Sequence, residues 1–385
     1  MIPYGRQELL QADIDAVVEV LRSDFLTQGP VVPKFEQAIA DIVHVGHAVA
    51  MSNATSALHV SCLALGLGPG DLLWTVPNTY VASANCGIYC GADVDFVDID
   101  PKTWNISTDR LREKLIVARS ANRLPKVVVP VHFAGQPTDQ EAIWELAQEF
   151  GFRVLEDASH SIGACRNGEP VGSCRWSDIC VFSFHPVKII TTGEGGMALT
   201  NSAELAQRMA MYRNHGITRD ASMFDDENRS GRWYYEQQLL GYNYRMTDIH
   251  AALGLSQLGR LDRYVQRRNE LASRYQCDFA DLPIQLPTVL SGNRSAFHLY
   301  VVRLKRDTDE KEHRRVFNEL WRSGIAVNLH YLPVHLQPFF RQLGFTPGQF
   351  PEAESHAKTA ITLPLYPSLS TAQQDTVVAA IRNAL

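Results

Sequence analysis

The chain has 385 residues, of which 45% are hydrophobic and 20% are charged, and its formal net charge is −6. A chain of this length predicts two domains, and its slight acidic balance disfavours nucleic acid and anionic membranes as partners. The seven cysteines form no CxxC pair, so we expect neither a disulfide scaffold nor a metal site. Since the sequence shows no signal-peptide pattern and no apolar run of membrane-spanning length, we expect a reducing, cytoplasmic location.

Between residues 50 and 200, short strand-like runs alternate with helical segments. The pattern predicts helices at 80–90, 140–150 and 202–214, and strands at 72–76, 93–99, 126–133, 152–159, 178–184 and 196–201. Ser107 is predicted to cap a helix at its start, and GLGPG (66–70) to end one. Such alternation is typical of an α/β architecture around a mostly parallel sheet.

The pattern changes near residue 250. One long helix is predicted at 246–275, a strand at 296–305, and helices at 309–324 and 370–385, the last with a capping box of Ser370 and Gln373. We therefore expect a large domain over 1–250 and a smaller α+β domain over 251–385, with the long helix joining them.

Lys188 lies in the stretch SFHPVKIITTGEGG (183–196), among apolar, threonine and glycine residues. An ordinary lysine has a pKa of about 10.4, so almost none of it is free amine at neutral pH. A nucleophilic lysine therefore needs a lowered pKa or is held as an imine. An imine with pyridoxal 5′-phosphate also requires an acid for the ring nitrogen, a phosphate site and a flat group against the ring.

Asp157 is the candidate acid. It follows the predicted strand 152–159 closely enough to lie near its carboxyl end, where open α/β sheets bind ligands. The next predicted strand, 178–184, leads to Ser183 and then to Lys188. If the two strands are neighbours, Asp157 and Lys188 face one cavity; the alternative is an aspartate that caps a helix or lies in a loop.

The phosphate site is predicted in two parts. Asn53, Thr55 and Ser56 begin an apolar helix, where backbone N–H groups and hydroxyls suit a dianion. Ser183 adds a hydroxyl, and the glycines of 193–196 allow a tight turn behind the lysine. The alternative for the helix start is plain N-capping.

Tyr80, which follows the strand at 72–76, is the candidate for stacking on the ring, and core packing is its alternative. His160 is a second flat group three residues beyond Asp157, and its alternative is a hydrogen-bonded loop histidine. Neither residue is decisive alone.

Seven motifs in order carry a resemblance to a known family: IPYGRQ…DFLTQGP, SNATSALH, PNTYVAS, VHFAGQPTD, EDASHSIGA, SFHPVK…TTGEGG and GYNYRMTDI. Together they resemble the DegT/DnrJ/EryC1/StrS sugar aminotransferases, which are fold-type-I, pyridoxal-phosphate-dependent enzymes. The resemblance implies an aspartate-aminotransferase-like fold, L-glutamate as amino donor and a nucleotide-linked 4-keto-6-deoxy sugar as acceptor. The motif sequences are most similar to those of the transaminases of pseudaminic acid biosynthesis, whose acceptor is UDP-linked.

The resemblance also implies roles for the cofactor residues. Lys188 would hold pyridoxal phosphate as a covalent imine, and Asp157 would pair with the pyridine nitrogen. Tyr80 would stack on the ring, and His160, where many relatives have glutamine, would either stack or contact the hydroxyl side. The phosphate would be bound by Thr55, Ser56 and Ser183, and by Asn243 reaching across to the partner subunit, which implies a homodimer with shared active sites.

Substrate residues are predicted from the same motifs and from the loop NLHYLPVH. They are Tyr4, Leu26, Thr27, Gln28, Arg245, His330 and Tyr331. Arg245 has the alternative of pairing with an acid, and His330 and Tyr331 that of ending a strand. Nothing in these residues separates UDP from dTDP or GDP.

Three other functions compete with the aminotransferase. Some relatives are sugar dehydratases in which histidine replaces the catalytic lysine, but Lys188 is present here. A non-catalytic regulator on the same fold would usually carry a DNA-binding domain, for which the chain has no spare segment. A binding protein that merely kept the fold would not need the complete set of cofactor residues.

Overall fold

The computed structural model describes residues 1–225, 231–305 and 307–385. Its helices are α1 (Gln11–Leu21), α2 (Val31–Val43), α3 (Ala54–Ala64), α4 (Ala82–Tyr89), α5 (Thr108–Ser120), α6 (Gln140–Phe150), α7 (Ala203–Arg213), α8 (Asp248–Leu258), α9 (Leu261–Asp278), α10 (Glu310–Arg322), α11 (Pro338–Gln342), α12 (Pro351–Thr359) and α13 (Thr371–Ala384). Its strands are β1 (Ile2–Pro3), β2 (His47–Met51), β3 (Leu72–Thr75), β4 (Asp93–Phe96), β5 (Val127–Val129), β6 (Arg153–Asp157), β7 (Cys165–Arg166), β8 (Glu169–Pro170), β9 (Ile179–Ser183), β10 (Gly196–Thr200), β11 (Ile217–Thr218), β12 (Glu236–Gln237), β13 (Asn293–Arg294), β14 (Tyr300–Arg303), β15 (Ile325–Ala326) and β16 (Ala360–Leu363).

A seven-stranded sheet forms the centre of the molecule, in the order β2-β10-β9-β6-β5-β3-β4. Only β10 runs antiparallel to its two neighbours, so the prediction of a mostly parallel sheet is confirmed. The first four residues of β9 are apolar because both faces of the strand are buried. Cys180 and Phe182 pack in the cluster that contains α2 and α8, whereas Ile179 and Val181 pack in the cluster that contains α3.

The register of β6 and β9 positions the site. The two strands are parallel neighbours, with Leu155 opposite Ile179 and Asp157 opposite Val181. Their carboxyl ends therefore meet at one edge of the sheet, as the sequence predicted. The chain then turns back into β10 through Gly193, whose φ is +82°. A Cβ at Gly196 would lie 2.5 Å from the backbone nitrogen of Ala54, so β10 approaches the start of α3 closely.

The local helix signals are confirmed except at one place. Ser107 caps α5 by accepting from the N–H of Arg110, and Ser370 with Gln373 forms the capping box of α13. Helix α3 ends just before Gly66, which has a φ of +80°.

The single helix predicted at 246–275 is wrong, because α8 ends at Leu258 and α9 begins at Leu261. Helical periodicity continues across the break, which is why the sequence concealed it. Arg260 lies at the break with a non-helical backbone, and its guanidinium is 2.6 Å from the Asp13 carboxylate of α1. The tertiary contact with α1 thus lies at the break between the two helices.

The C-terminal part pairs β14 with β16 and packs α9, α10 and α13 around a core of its own. Helix α8 instead packs against α1 and α2 of the larger part. The division into 1–250 and 251–385 remains a prediction. Within the described ranges, no helix is both long and apolar enough to span a bilayer.

Candidate active site

A cavity of about 870 Å³ opens at the carboxyl edge of β6 and β9. It collects residues that lie far apart in the chain, from the first strand to the loop after β15. The predicted site residues that line it are Tyr4, Thr55, Ser56, Tyr80, Asp157, His160, Ser183, Lys188, His330 and Tyr331. The structure therefore brings together most of the proposed cofactor residues and part of the proposed substrate residues.

Lys188 enters the cavity from the turn that follows β9, where its backbone N–H donates to the carbonyl of His185 at 2.9 Å. Burial lowers the pKa of its ammonium to about 8, and attraction to the Asp157 carboxylate opposes that shift. A larger share of the side chain is thus free amine near neutral pH than in a solvated lysine. This is the property that an amine nucleophile or base requires.

Asp157 is the last residue of β6 and is buried. Its Oδ2 accepts a hydrogen bond from the Ser83 hydroxyl at 2.6 Å, and its Oδ1 accepts from the Ser159 backbone N–H at 3.1 Å. Neither Ser83 nor Ser159 was predicted to belong to the site. The carboxylate is therefore held from two sides, and the alternative of a helix-capping aspartate does not describe it.

The start of α3 forms one wall of the cavity. Asn53 caps the helix by accepting from the Ser56 backbone N–H at 2.8 Å, so N-capping, the predicted alternative, does occur at this residue. The Ser56 hydroxyl also bonds to Asn53 and to Ser52. Thr55 lines the cavity beside the helix N-terminus, whose first N–H groups lack intrahelical partners. Ser183, at the end of β9, lines the same cavity.

Tyr80 lies at the cavity with 63% of its surface exposed, so it is not a core residue in this subunit. An exposed aromatic ring beside Asp157 and Lys188 offers a flat apolar face. Core packing, its predicted alternative, is wrong for the described chain. Its role in stacking stays a prediction.

His160 is buried, and its hydrogen bonds determine its tautomer. Nδ1 accepts from the Ala134 backbone N–H at 3.2 Å, so the proton lies on Nε2, which donates to the Tyr331 hydroxyl at 3.1 Å. Burial lowers the pKa of His160 well below its usual value, and the Lys188 ammonium lowers it further. The imidazole is thus neutral, and Tyr331 keeps its own hydrogen for another acceptor.

Two further histidines lie beside it. His330 bonds to the Thr362 hydroxyl through Nδ1 at 2.8 Å, and burial lowers its pKa to about 3. His298, which the sequence analysis missed, lies with its ring 4.5 Å from that of His160, and burial lowers its pKa as well. The segment SAFHLY is typical of residues that lead into a strand, so no feature of the local sequence identifies His298 as a site residue.

Five predicted residues do not line this cavity: Leu26, Thr27, Gln28, Asn243 and Arg245. Gln28 and Arg245 instead line a second surface cavity of about 460 Å³. Arg245 donates to the Asn214 side chain at 2.6 Å, an amide in place of the acid considered as its alternative partner. Asn243 forms a backbone bridge with Asn214. The segment nevertheless runs beside the start of α3, because Arg245 forms a backbone bridge with Met51 and Tyr244 lines the cavity.

The family model for DegT/DnrJ/EryC1/StrS aminotransferases matches residues 7–382. The chain belongs to this family. The spore coat polysaccharide biosynthesis protein SpsC of Bacillus subtilis (strain 168) is 39% identical over 389 residues, covering 99% of this chain and 96% of that protein.

Two solved structures illustrate the similarity in fold. Helicobacter pylori PseC, described as an aminotransferase involved in pseudoaminic acid biosynthesis, is 30% identical with a TM-score of 0.90 over 100% of this chain and 98% of that one. The putative sugar aminotransferase Spr1654 of Streptococcus pneumoniae in its PMP form is 29% identical with a TM-score of 0.90, covering 100% and 99% of the two chains. Spr1654 is also known in a PLP form.

Membership of the DegT/DnrJ/EryC1/StrS family confirms the predicted fold class and the prediction of a pyridoxal-phosphate-dependent sugar aminotransferase. The cavity fits the cofactor on chemical grounds. It offers an amine of lowered pKa, a buried carboxylate and a helix N-terminus flanked by hydroxyls.

Proposed function

We propose that this protein transfers the amino group of L-glutamate to C4 of a nucleotide-linked 4-keto-6-deoxy sugar. The acceptor we favour is UDP-2-acetamido-2,6-dideoxy-β-L-arabino-hexos-4-ulose. The product is then UDP-4-amino-4,6-dideoxy-N-acetyl-β-L-altrosamine, an intermediate of pseudaminic acid biosynthesis. The observation that carries the aminotransferase chemistry is the meeting of Lys188 and Asp157 in one cavity beside the start of α3.

Each cofactor residue then has a role that follows from its chemistry. Lys188 would hold the cofactor through its aldehyde, and Asp157 would pair with the ring nitrogen. Thr55, Ser56 and Ser183 would bind the phosphate, and Tyr80 would stack on the ring. The bound cofactor supplies the electron sink that makes the amino-acid α-proton removable.

The Lys188 amine acts as the base that moves this proton. When it is not bound to the cofactor, the Lys188 amine would lie inside the cavity, where burial lowers its pKa to about 8. It can therefore accept a proton from one carbon and donate it to another near neutral pH. The neighbouring histidines are held neutral by burial, so they do not compete as cations.

The acceptor assignment is supported by the fold similarity to PseC at 30% identity. SpsC, at 39% identity, acts in spore coat polysaccharide biosynthesis, and this favours as second candidate another nucleotide-linked 4-keto-6-deoxyhexose. Tyr4, His330 and Tyr331, which line the cavity, would contact the sugar in either case. Tyr4 and His330 lie with ring centroids 5.3 Å apart.

We further propose a homodimer with shared sites, located in the cytoplasm. Lys188 is the one lysine, and no arginine lies among the described residues that line the cavity, although the substrates carry carboxylates and a diphosphate. In the dimer, Asn243 would contact the partner's cofactor phosphate. Arg245 and the segment 26–28 would contact the partner's substrate. All seven cysteines are free, which suits a reducing compartment.

One panel tests the substrate. The purified protein with pyridoxal phosphate is incubated with glutamate and, separately, UDP-, dTDP- and GDP-linked 4-keto-6-deoxy sugars, and the amino sugar is followed by mass spectrometry. We expect the highest kcat/KM with the UDP-linked, N-acetylated L-arabino sugar. Preference for a dTDP sugar without an N-acetyl group would contradict the acceptor assignment, whereas no product with any sugar would contradict the proposed reaction.

A further inference from the structure

Ser83 is a completely buried serine in the first turn of α4, three residues beyond Tyr80. Its hydroxyl contacts two polar groups at short range. The Asp157 Oδ2 lies 2.6 Å from Ser83 Oγ, and the Thr79 hydroxyl lies 2.8 Å from it. The three side chains form a continuous chain of hydrogen bonds that ends on the carboxylate.

The direction of these hydrogen bonds follows from the number of hydrogen atoms that each side chain can donate. An ionised carboxylate only accepts, so the single hydrogen of Ser83 points to Asp157. The Ser83 oxygen is then an acceptor for the hydrogen of Thr79. A distance of 2.6 Å is the length of a hydrogen bond between a hydroxyl and a charged carboxylate. Ser83 therefore fixes the position of Oδ2 directly, and Thr79 fixes the position of the Ser83 hydroxyl.

No cation substitutes for these donors in the part of the chain that the structure describes. Asp157 forms no ion pair there, and its other oxygen accepts only from the Ser159 backbone N–H at 3.1 Å. Lys188 acts on it through space, without a hydrogen bond. A buried carboxylate that is to remain charged depends on hydrogen bonds when it lacks a paired cation. Ser83 supplies the shorter of the two hydrogen bonds to Asp157.

We propose that Ser83, backed by Thr79, is a positioning residue that holds the Asp157 carboxylate oriented toward the cofactor ring nitrogen. This inference rests on the proposed role of Asp157. Thr79 and Ser83 flank Tyr80 in the chain, so the same turn that presents the exposed ring also holds the carboxylate. One local segment thereby sets two of the contacts that the cofactor requires.

Ser83→Ala tests the proposal. The protein is reconstituted with pyridoxal phosphate labelled with ¹⁵N in its ring, and the nitrogen signal is followed against pH. Without the Ser83 donor, the Asp157 carboxylate can rotate away from the ring nitrogen, so its pairing with the protonated ring weakens. We therefore expect the pH at which the ring loses its proton to fall by about one unit. We also expect kcat to fall about tenfold while KM changes less than about twofold.

The controls separate this effect from the loss of a buried hydroxyl. Ser61→Ala removes an equally buried serine hydroxyl from α3, where it donates to the Ala57 carbonyl, and should leave the titration unchanged. Ser83→Thr restores a donor and should return the titration toward the original. Thr79→Val removes only the outer donor, and we expect a smaller shift in the same direction. It also serves as the test if Ser83→Ala does not fold.

The outcomes are distinguishable from failure of the proposed function. If Asp157→Asn leaves the ring titration unchanged, the role of Asp157 is wrong and the role of Ser83 falls with it. If Asp157→Asn lowers the titration but Ser83→Ala behaves as Ser61→Ala, the positioning role alone is overturned. If Ser83→Ala lowers the titration and Ser83→Thr restores it, the inference is supported.

Discussion

The floor of the cavity and the outer segments expected to complete it differ in one respect. A single subunit forms the floor, but it does not bring the outer segments to the same cavity. The floor consists of Asp157, Ser183 and Lys188 at the ends of two neighbouring strands, and one chain assembles it completely. Leu26 to Gln28, Asn243 and Arg245 were expected to serve the same site, yet they lie outside its cavity. One chain thus forms the floor by itself, and the proposed homodimer would bring the outer segments of one subunit to the cavity of its partner.

The largest expected effect concerns the floor. Lys188→Ala removes both the amine that binds the cofactor and the base that moves the proton. We therefore expect transamination to fall by at least about 10³-fold, measured as amino-sugar formation. The variant should fold and bind pyridoxal phosphate without a covalent bond.

Borohydride reduction followed by peptide mapping provides the control for that variant. The label should appear on the peptide that contains Lys188 in the original protein and should be absent from the variant. Lys126→Ala, a change at a lysine that pairs with Asp71 far from the cavity, should retain the label. A label on any other lysine would refute the assignment.

The second prediction tests whether the outer segments serve a partner subunit. Asn243→Asp places a negative charge where a phosphate is expected and should inactivate the enzyme alone. When it is mixed and refolded with Lys188→Ala, half of the dimers should contain one intact site, so about a quarter of the original activity should return. The activity is measured against the mixing ratio.

Two results would contradict the proposal that the outer segments act in the partner's active site. A fully active monomer at the assay concentration would show that one chain forms the whole site. A mixture that stays inactive, although mass spectrometry detects the mixed dimer, would show that Asn243 does not act across the interface.

The smallest expected effect concerns the pKa of Lys188. Only the neutral amine captures the cofactor aldehyde, and burial lowers this pKa to about 8. The rate of pyridoxal phosphate capture by the apoprotein should therefore rise about tenfold per pH unit below pH 8 and level off above it. Stopped-flow absorbance measures the rate. A rise that continues to pH 10 would indicate a solvated lysine.

The sequence predicted the floor of the site because its residues follow strands. Asp157 and Ser183 end β6 and β9, and parallel neighbours place their carboxyl ends at one edge. It also predicted the start of α3, because capping residues before an apolar run mark a helix N-terminus. It failed at Gly259 and Arg260, because helical periodicity runs through the break and only the contact with α1 reveals it.

The sequence by itself therefore determined the class of fold, the family and several residues that meet in one cavity, since these depend on spacing within single elements and on motif order. Only the tertiary structure decided that Ser83 bonds to Asp157 across 74 residues of chain, and that His160 joins Tyr331 across 171. It alone placed Arg245 in a separate cavity. The physical reason is that local geometry fixes which way a side chain leaves its element, but contacts between distant segments arise only when the elements pack together.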